Sequence, residues 1–248
     1  MSSPEVVGII PARLGSTRFP GKVLADKTGK PLIRHVWECA SKATRLSRLV
    51  IATDDDRVRG VVEGFGGLCV MTSPEHPNGT SRLAEASAVL GLAHDDLVVN
   101  IQGDEPELDA GAIDAAIGVA QRGGIEVGTV ASAFLAGEDP ADPNIVKVVI
   151  RPDGTALYFS RAPIPYPRAG AEAASPLRHV GLYVYSVGFL RLYATLPPTP
   201  LERTESLEQL RVLEHGYRIG VARYDCASVG IDTPEQYEAF VRRTAARG

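Results

Sequence analysis

Five short apolar runs separated by amphipathic stretches fill the first half of the chain, and this alternation constrains the fold more than any other feature. The runs at 6–10, 49–52, 68–71, 97–101 and 127–131 are short and often β-branched, as expected for strands covered on both faces. Between them, 31–42, 55–64, 80–92 and 110–121 read as helices. Pro31 suits a first helical turn, and Asp54 sits where an N-cap would sit. Such β-α alternation implies an α/β fold with a doubly wound, mainly parallel sheet.

The pattern changes after about residue 140. Runs at 146–150 and 156–159 flank Arg151-Pro152-Asp153-Gly154, a strong hairpin signal. The stretch 170–176 is small and Ala-rich and reads as a surface loop. A strand at 181–186, a helix at 207–214 and a terminal helix at 234–243, begun by Asp232-Thr233-Pro234, complete the reading. A chain of 248 residues without repeats or a long linker then reads as one domain, with an inserted substrate-binding and dimerisation subregion at about 140–225.

The first strand runs into Pro11-Ala12-Arg13-Leu14-Gly15-Ser16-Thr17-Arg18-Phe19-Pro20-Gly21-Lys22. A glycine-containing loop after a first β-strand is a common phosphate cradle, because backbone N–H groups converge there. Arg13, Arg18 and Lys22 together can offset most of a nucleotide triphosphate's charge. The spacing is neither a Walker A loop nor the dinucleotide G-x-G-x-x-G pattern, which argues against a dehydrogenase. The bland alternative is a solvated basic loop. The net charge of −4 argues against a nucleic-acid partner but leaves room for a local basic pocket.

Three further facts narrow the class. No apolar run approaches the roughly 20 residues needed to cross a membrane, and the N-terminus lacks the basic and apolar regions of a signal peptide. Cys39, Cys69 and Cys226 are far apart, without the paired spacing of a zinc or redox site. A cytoplasmic protein with reduced, structural thiols is the expectation.

With its first loop, residues 9–22, the sequence resembles the N-terminal signature of the 3-deoxy-D-manno-octulosonate cytidylyltransferases (CMP-Kdo synthetases). Relatives that activate sialic acid usually carry Ser-Lys early in this loop and Lys-Asn at its end, whereas Arg18 and Gly21-Lys22 favour the octulosonate branch. The likeness continues through Ala52-Thr53-Asp54-Asp55, Gly79-Thr80 with Arg82-Leu83-Ala84-Glu85, and residues 99–106. Later matches are 144–149, Tyr158-Phe159-Ser160-Arg161, Arg178-His179 with Gly181, residues 207–211 and Asp232-Thr233-Pro234-Glu235. It covers nearly the whole chain. Phe19 and Val23 stand where Leu and Pro are common in the family, and Asn78 and Ser81 where Ser and Glu are usual.

The resemblance implies a homodimeric, Mg²⁺-dependent transfer of CMP from CTP to Kdo, serving outer-envelope polysaccharide synthesis. Asp104 and Asp232 would carry the metal. On residue chemistry alone Asp104 could be a turn aspartate, and Asp232 could cap the helix at Pro234. Ala12, Arg13, Ser16, Lys22, Asn78, Arg82 and Gln102 would contact CTP, although Arg82 could instead face solvent on its helix. Arg161, His179, Tyr183, Glu208 and Gln209 would receive the acidic sugar. Taken singly, His179 would be a satisfied structural histidine, Tyr183 core and Glu208-Gln209 a solvated face. Asp54-Asp55-Asp56 reads as helix capping rather than a metal site. The remaining alternatives are 8-amino-Kdo or a sialic acid as acceptor, a sugar-phosphate nucleotidyltransferase, and a nucleotide-binding protein without catalysis.

Overall fold

The run at 6–10 becomes an interior strand, β1 (Val6–Ala12), whose successive side chains leave on opposite faces. Val7 and Ile9 enter one apolar core, Val6 and Ile10 another, and all four are buried. The following elements repeat the arrangement. They are α1 (Leu32–Ala40), β2 (Arg48–Thr53), α2 (Asp56–Gly64), β3 (Cys69–Met71), α3 (Gly79–Val89), β4 (Leu97–Asn100), α4 (Ala110–Ala120) and β5 (Val127–Ala133). This architecture comes from a computed structural model that describes residues 4–15, 18–76, 78–169 and 174–247. Ser16 and positions 170–173 of the expected surface loop lie outside the described residues.

The second half supplies β6 (Lys147–Ile150), β7 (Ala156–Ser160), β8 (Leu177–Ser186), α5 (Val187–Tyr193), α6 (Pro200–Glu205), α7 (Gln209–Glu214), β9 (Ile219–Arg223) and α8 (Pro234–Ala245). The sheet order is β3-β2-β1-β4-β8-β5-β9, and within this path only β8 runs against the other strands. The β6–β7 hairpin attaches through β6 to β8. The segment at 140–225 therefore contributes two strands to the main sheet as well as the hairpin. Helices α1, α2 and α4 cover one face, and α3, α5 and α7 the other, so the sheet is doubly wound and mostly parallel. A third apolar cluster of Leu32, Ile231, Tyr237 and Phe240 seats α8 against Phe19 of the first loop.

Gly128 permits a close approach of α4 to β5: a Cβ there would lie 2.6 Å from the Ala116 carbonyl oxygen of α4.

The structure corrects several expectations. Asp55, not Asp54, caps α2, accepting from the Arg57 N–H at 2.9 Å. β8 starts four residues earlier than 181, because its alternation of buried and half-exposed residues continues back to Leu177. Three elements were not anticipated. α5 follows directly on β8, so its apolar residues merged with the strand signal; Ser186 ends one element and caps the next. α6 carries a start signal, Thr199-Pro200 with Glu202 three residues on, whose carboxylate accepts from the Thr199 N–H at 3.2 Å. β9 is only five residues long and contains Gly220, which hides a strand pattern. Cys39, Cys69 and Cys226 are free thiols, and burial pushes Cys69 up to about 11. No described helix is long and apolar enough to cross a membrane.

Candidate active site

In an open α/β sheet the strand ends leave a crevice where loops diverge, and ligands collect at the carboxyl edge. Here β1 and β4 lie side by side, and both end at such a crevice. After β1 the chain turns back at Gly21, whose left-handed conformation (φ 71°) only glycine adopts easily; its N–H donates to the Leu14 carbonyl at 3.1 Å. A short 3-10 turn (Lys22–Leu24) follows and aims Lys22 into the crevice.

Beyond β4, Gly103 passes so close to β1 that a Cβ would stand 2.8 Å from the Pro11 carbonyl oxygen. Asp104 follows it. Its backbone carbonyl accepts from the Ile231 N–H at 2.9 Å, which brings the next residue, Asp232, alongside. Thr233, not Asp232, caps α8, in a capping box with Gln236. The alternative reading of Asp232 as a cap is thereby answered: its carboxylate is available to the crevice. The Lys22 Nζ lies 2.7 Å from Asp104 Oδ2, 3.1 Å from Asp232 Oδ1 and 2.8 Å from the Ile231 carbonyl oxygen. Arg18 reaches the other Asp232 oxygen at 3.0 Å. Two carboxylates thus converge on the Lys22 ammonium, with Arg18 beside them.

Two adjoining cavities open here. The first, of about 410 Å³, is lined by Pro11, Arg13, Gly15, Arg18, Lys22, Val23, Gly79, Arg82, Gln102, Gly103 and Asp104. The second, of about 530 Å³, is lined by Gly79, Thr80, Asn100, Gln102, Arg161, Gly181, Tyr183, Tyr185, Tyr193, residues 206–209, Val212 and Asp232. Gly79 and Gln102 belong to both walls, so the two cavities adjoin there, with Asp232 on the wall of one and Asp104 on that of the other.

Arg82 does not face solvent on its helix. It is 1% exposed, and its guanidinium donates to Thr72 Oγ1 and, at 3.1 Å, to Asp54 Oδ2. This pairing gives Asp54 the role that the capping expectation missed. Asn78 caps α3, its Oδ1 accepting from the Ser81 N–H at 2.9 Å, and it lines neither cavity. Ala12 is fully buried between the cavity residues Pro11 and Arg13.

On the second cavity's wall, Arg161 is held by backbone carbonyls of Glu205 at 2.7 Å, Pro143 at 2.8 Å and Ser206 at 3.3 Å. The Glu205 carboxylate in turn accepts from Ser160 Oγ at 2.6 Å and from the Arg161 N–H at 2.9 Å. Lys147, fully buried, donates to the carbonyls of Asp142 at 2.9 Å, Ile145 at 2.6 Å and Arg161. Burial lowers its pKa, and the three carbonyls solvate the ammonium in place of water. Thr80 Oγ1 donates to Glu208 Oε2 at 3.2 Å, joining α3 to the opposite wall.

His179 lies apart from both walls. Its ring packs edge-on to Phe159 at 5.0 Å and against Tyr183 at 5.3 Å, with Nε2 2.9 Å from Thr129 Oγ1. Burial lowers its pKa to about 3, so the imidazole is neutral and supports Tyr183 from behind. Glu105, left without a role by the sequence, is half-buried with Oε2 2.6 Å from Ser228 Oγ, and burial raises it to about 7. Asn100, Tyr185 and Tyr193 line the second cavity but receive no role from the sequence, although Asn100 lies within the matching stretch 99–106. Period-two spacing could have found the first two, since Asn100 precedes Gln102 and Tyr185 follows Tyr183 by two residues along their chain segments.

Comparison with known proteins agrees with this geometry. The family described as Cytidylyltransferase matches residues 7–219. The chain is 50% identical over 239 residues to a 3-deoxy-manno-octulosonate cytidylyltransferase of Syntrophobacter fumaroxidans, covering 96% of both chains. It is 47% identical to the protein of that description from Solibacter usitatus, covering 96% of this chain and 94% of the other. Among solved structures, a CMP:2-keto-3-deoxy-manno-octonic acid synthetase complexed with CTP superposes with a TM-score of 0.91 at 41% identity, covering 98% of this chain and all of that one. A 4-diphosphocytidyl-2C-methyl-D-erythritol synthase, at 13% identity and a TM-score of 0.65, shares the fold alone, over 98% of this chain and 99% of that one. The chain belongs to the 3-deoxy-manno-octulosonate cytidylyltransferases.

Proposed function

We propose that the chain transfers CMP from CTP to the anomeric hydroxyl of 3-deoxy-D-manno-octulosonate, releasing pyrophosphate. The observation that carries this reading is the pair of adjoining cavities. One is rich in cations and one in hydroxyls and amides, and the two carboxylates stand at their junction. A nucleotidyl transfer needs that layout, with the nucleotide and acceptor in separate sites and the reacting phosphorus between them.

Arg13, Arg18 and Lys22 hold the triphosphate and balance the charge that gathers on the leaving pyrophosphate. Arg82, locked by Asp54 and Thr72, and Gln102 shape the wall against which the nucleoside sits. On the other side Arg161, Tyr183, Glu208 and Gln209 receive the carboxylate and hydroxyls of the sugar. The sugar oxygen bonds to the α-phosphorus as the α–β phosphoanhydride bond breaks, its proton passing to solvent and the pyrophosphate leaving against Arg13, Arg18 and Lys22. No covalent enzyme intermediate is needed.

The residues at the junction fit Mg²⁺. Asp104 and Asp232 offer hard oxygen donors that share the Lys22 ammonium here; Mg²⁺, commonly held by one or two carboxylates plus substrate phosphates, would be held by the same pair once Lys22 turns to the phosphates. When bound there it would polarise the α-phosphate and lower the pKa of the attacking hydroxyl. Assembly as a homodimer is part of the same proposal, and sedimentation of the purified chain tests it.

The direct test is pyrophosphate release from CTP and Mg²⁺ with Kdo, 8-amino-Kdo or N-acetylneuraminate. Release with Kdo is expected; silence with all three, in protein that binds CTP, refutes the sugar assignment. Asp104→Asn should cut kcat on the order of 10²-fold or more with folding intact, and near-normal turnover would remove Asp104 from the mechanism.

A further inference from the structure

The floor of the second cavity holds a polar group that no motif assigns. Asn100, the last residue of β4, is 4% exposed and lines the cavity. Its Oδ1 has no hydrogen-bond partner among the described residues. Among the described residues the other buried side-chain atoms without a hydrogen bond are Arg48 Nε, which still stands 3.1 Å from Glu5 Oε1, and Thr199 Oγ1; neither residue lines a cavity. Asn100 is paired in register with Tyr183 on β8, and Gln102 and Tyr185 lie on the same wall. A buried carbonyl oxygen without a donor has given up water for nothing, and native structures keep such atoms rarely, chiefly where function requires them. At the bottom of a cavity, the missing donor is one that a ligand can bring.

We infer that Asn100 is a specificity-determining contact for the acidic sugar, its Oδ1 accepting a hydrogen bond from one sugar hydroxyl. The inference rests on the second cavity being the sugar site. Sites that hydrogen-bond a substrate hydroxyl reject analogues lacking it, because the protein's buried partner is then left unpaired. Asn100 would therefore read the pattern of hydroxyls, while Arg161 meets the carboxylate.

Asn100→Leu removes the acceptor at nearly constant volume. The expected result is a fall of about tenfold or more in kcat/KM for Kdo, borne by its KM, with the KM for CTP changed by less than about twofold. Its Tm should equal or exceed that of the wild type, since an unpaired polar atom gives way to an apolar one. Kdo analogues lacking single hydroxyls complete the test: one deletion should cost the wild type activity and cost Asn100→Leu nothing further. Asn100→Ala, which also removes the acceptor, carries the same comparison should the leucine variant not fold. An unchanged kcat/KM for Kdo in a folded Asn100→Leu overturns the inference, as does a loss falling equally on CTP. Glu208→Gln separates the two layers. If it raises the KM for Kdo while Asn100→Leu does not, the cavity reading stands and Asn100 falls; if neither moves it, both fall.

Discussion

Replacing His179 by glutamine should flatten part of the acid limb of this protein's stability curve. The Thr129 hydroxyl donates to the Leu182 carbonyl at 2.7 Å, so its oxygen faces His179 Nε2 as an acceptor, and the ring is neutral with its proton on Nε2. Protonating Nδ1 would put a full charge beside the Phe159 and Tyr183 rings, and burial accordingly lowers the pKa from 6.5 to about 3. The unfolded chain therefore takes up a proton that the folded chain refuses. Stability is whole above pH 6.5 and is lost as pH falls towards 3. The full gap is worth at most about 5 kcal/mol, of which about 2 kcal/mol falls between pH 7 and 5. Glutamine keeps an N–H near the Nε2 position and cannot titrate. Urea unfolding followed by circular dichroism at the two pH values gives the difference directly. The wild type should lose about 2 kcal/mol more than His179→Gln over that interval. Equal losses would refute a neutral imidazole shielded from water and return His179 to the sugar contact that the resemblance implies.

Other substitutions probe the supports of the two cavities. Asp54→Ala leaves the buried Arg82 guanidinium without its carboxylate and should cost about 3 kcal/mol or more in denaturant unfolding, with weaker CTP binding by calorimetry. Lys147→Met strips three backbone carbonyls of their donor; it should lower Tm and raise the KM for Kdo more than that for CTP, because one of those carbonyls belongs to Arg161. Gly103→Ala must push the exits of β1 and β4 apart, since its Cβ would meet the Pro11 carbonyl oxygen at 2.8 Å; affinity for CTP should fall by about tenfold or more in a titration.

The strands, the helices of the first half and the cationic loop are legible in the sequence because their signals are local. Valine and isoleucine at 6–10 specify a strand wherever it lies in the sheet, and Pro234 starts a helix whatever packs on it. Of the three elements missed, two have blurred local signals, since α5 abuts β8 and β9 contains a glycine, whereas α6 carries a capping box that is legible in the sequence.

What the fold alone decides is which charges meet. Lys22 and Asp232 are 210 residues apart, yet their contact depends on the Ile231–Asp104 backbone bond and on Thr233 taking the cap. Asp54 reads locally as a cap and His179 as a structural histidine, which the resemblance turns into a sugar contact. Packing makes the first a half-buried counter-ion of the buried Arg82 and the second a neutral brace behind Tyr183. Residue type and spacing determine which groups this chain can offer a nucleotide and an acidic sugar. Burial and long-range pairing determine which of them are charged and free to use, because a side chain's protonation and hydrogen bonds are set by neighbours distant in sequence.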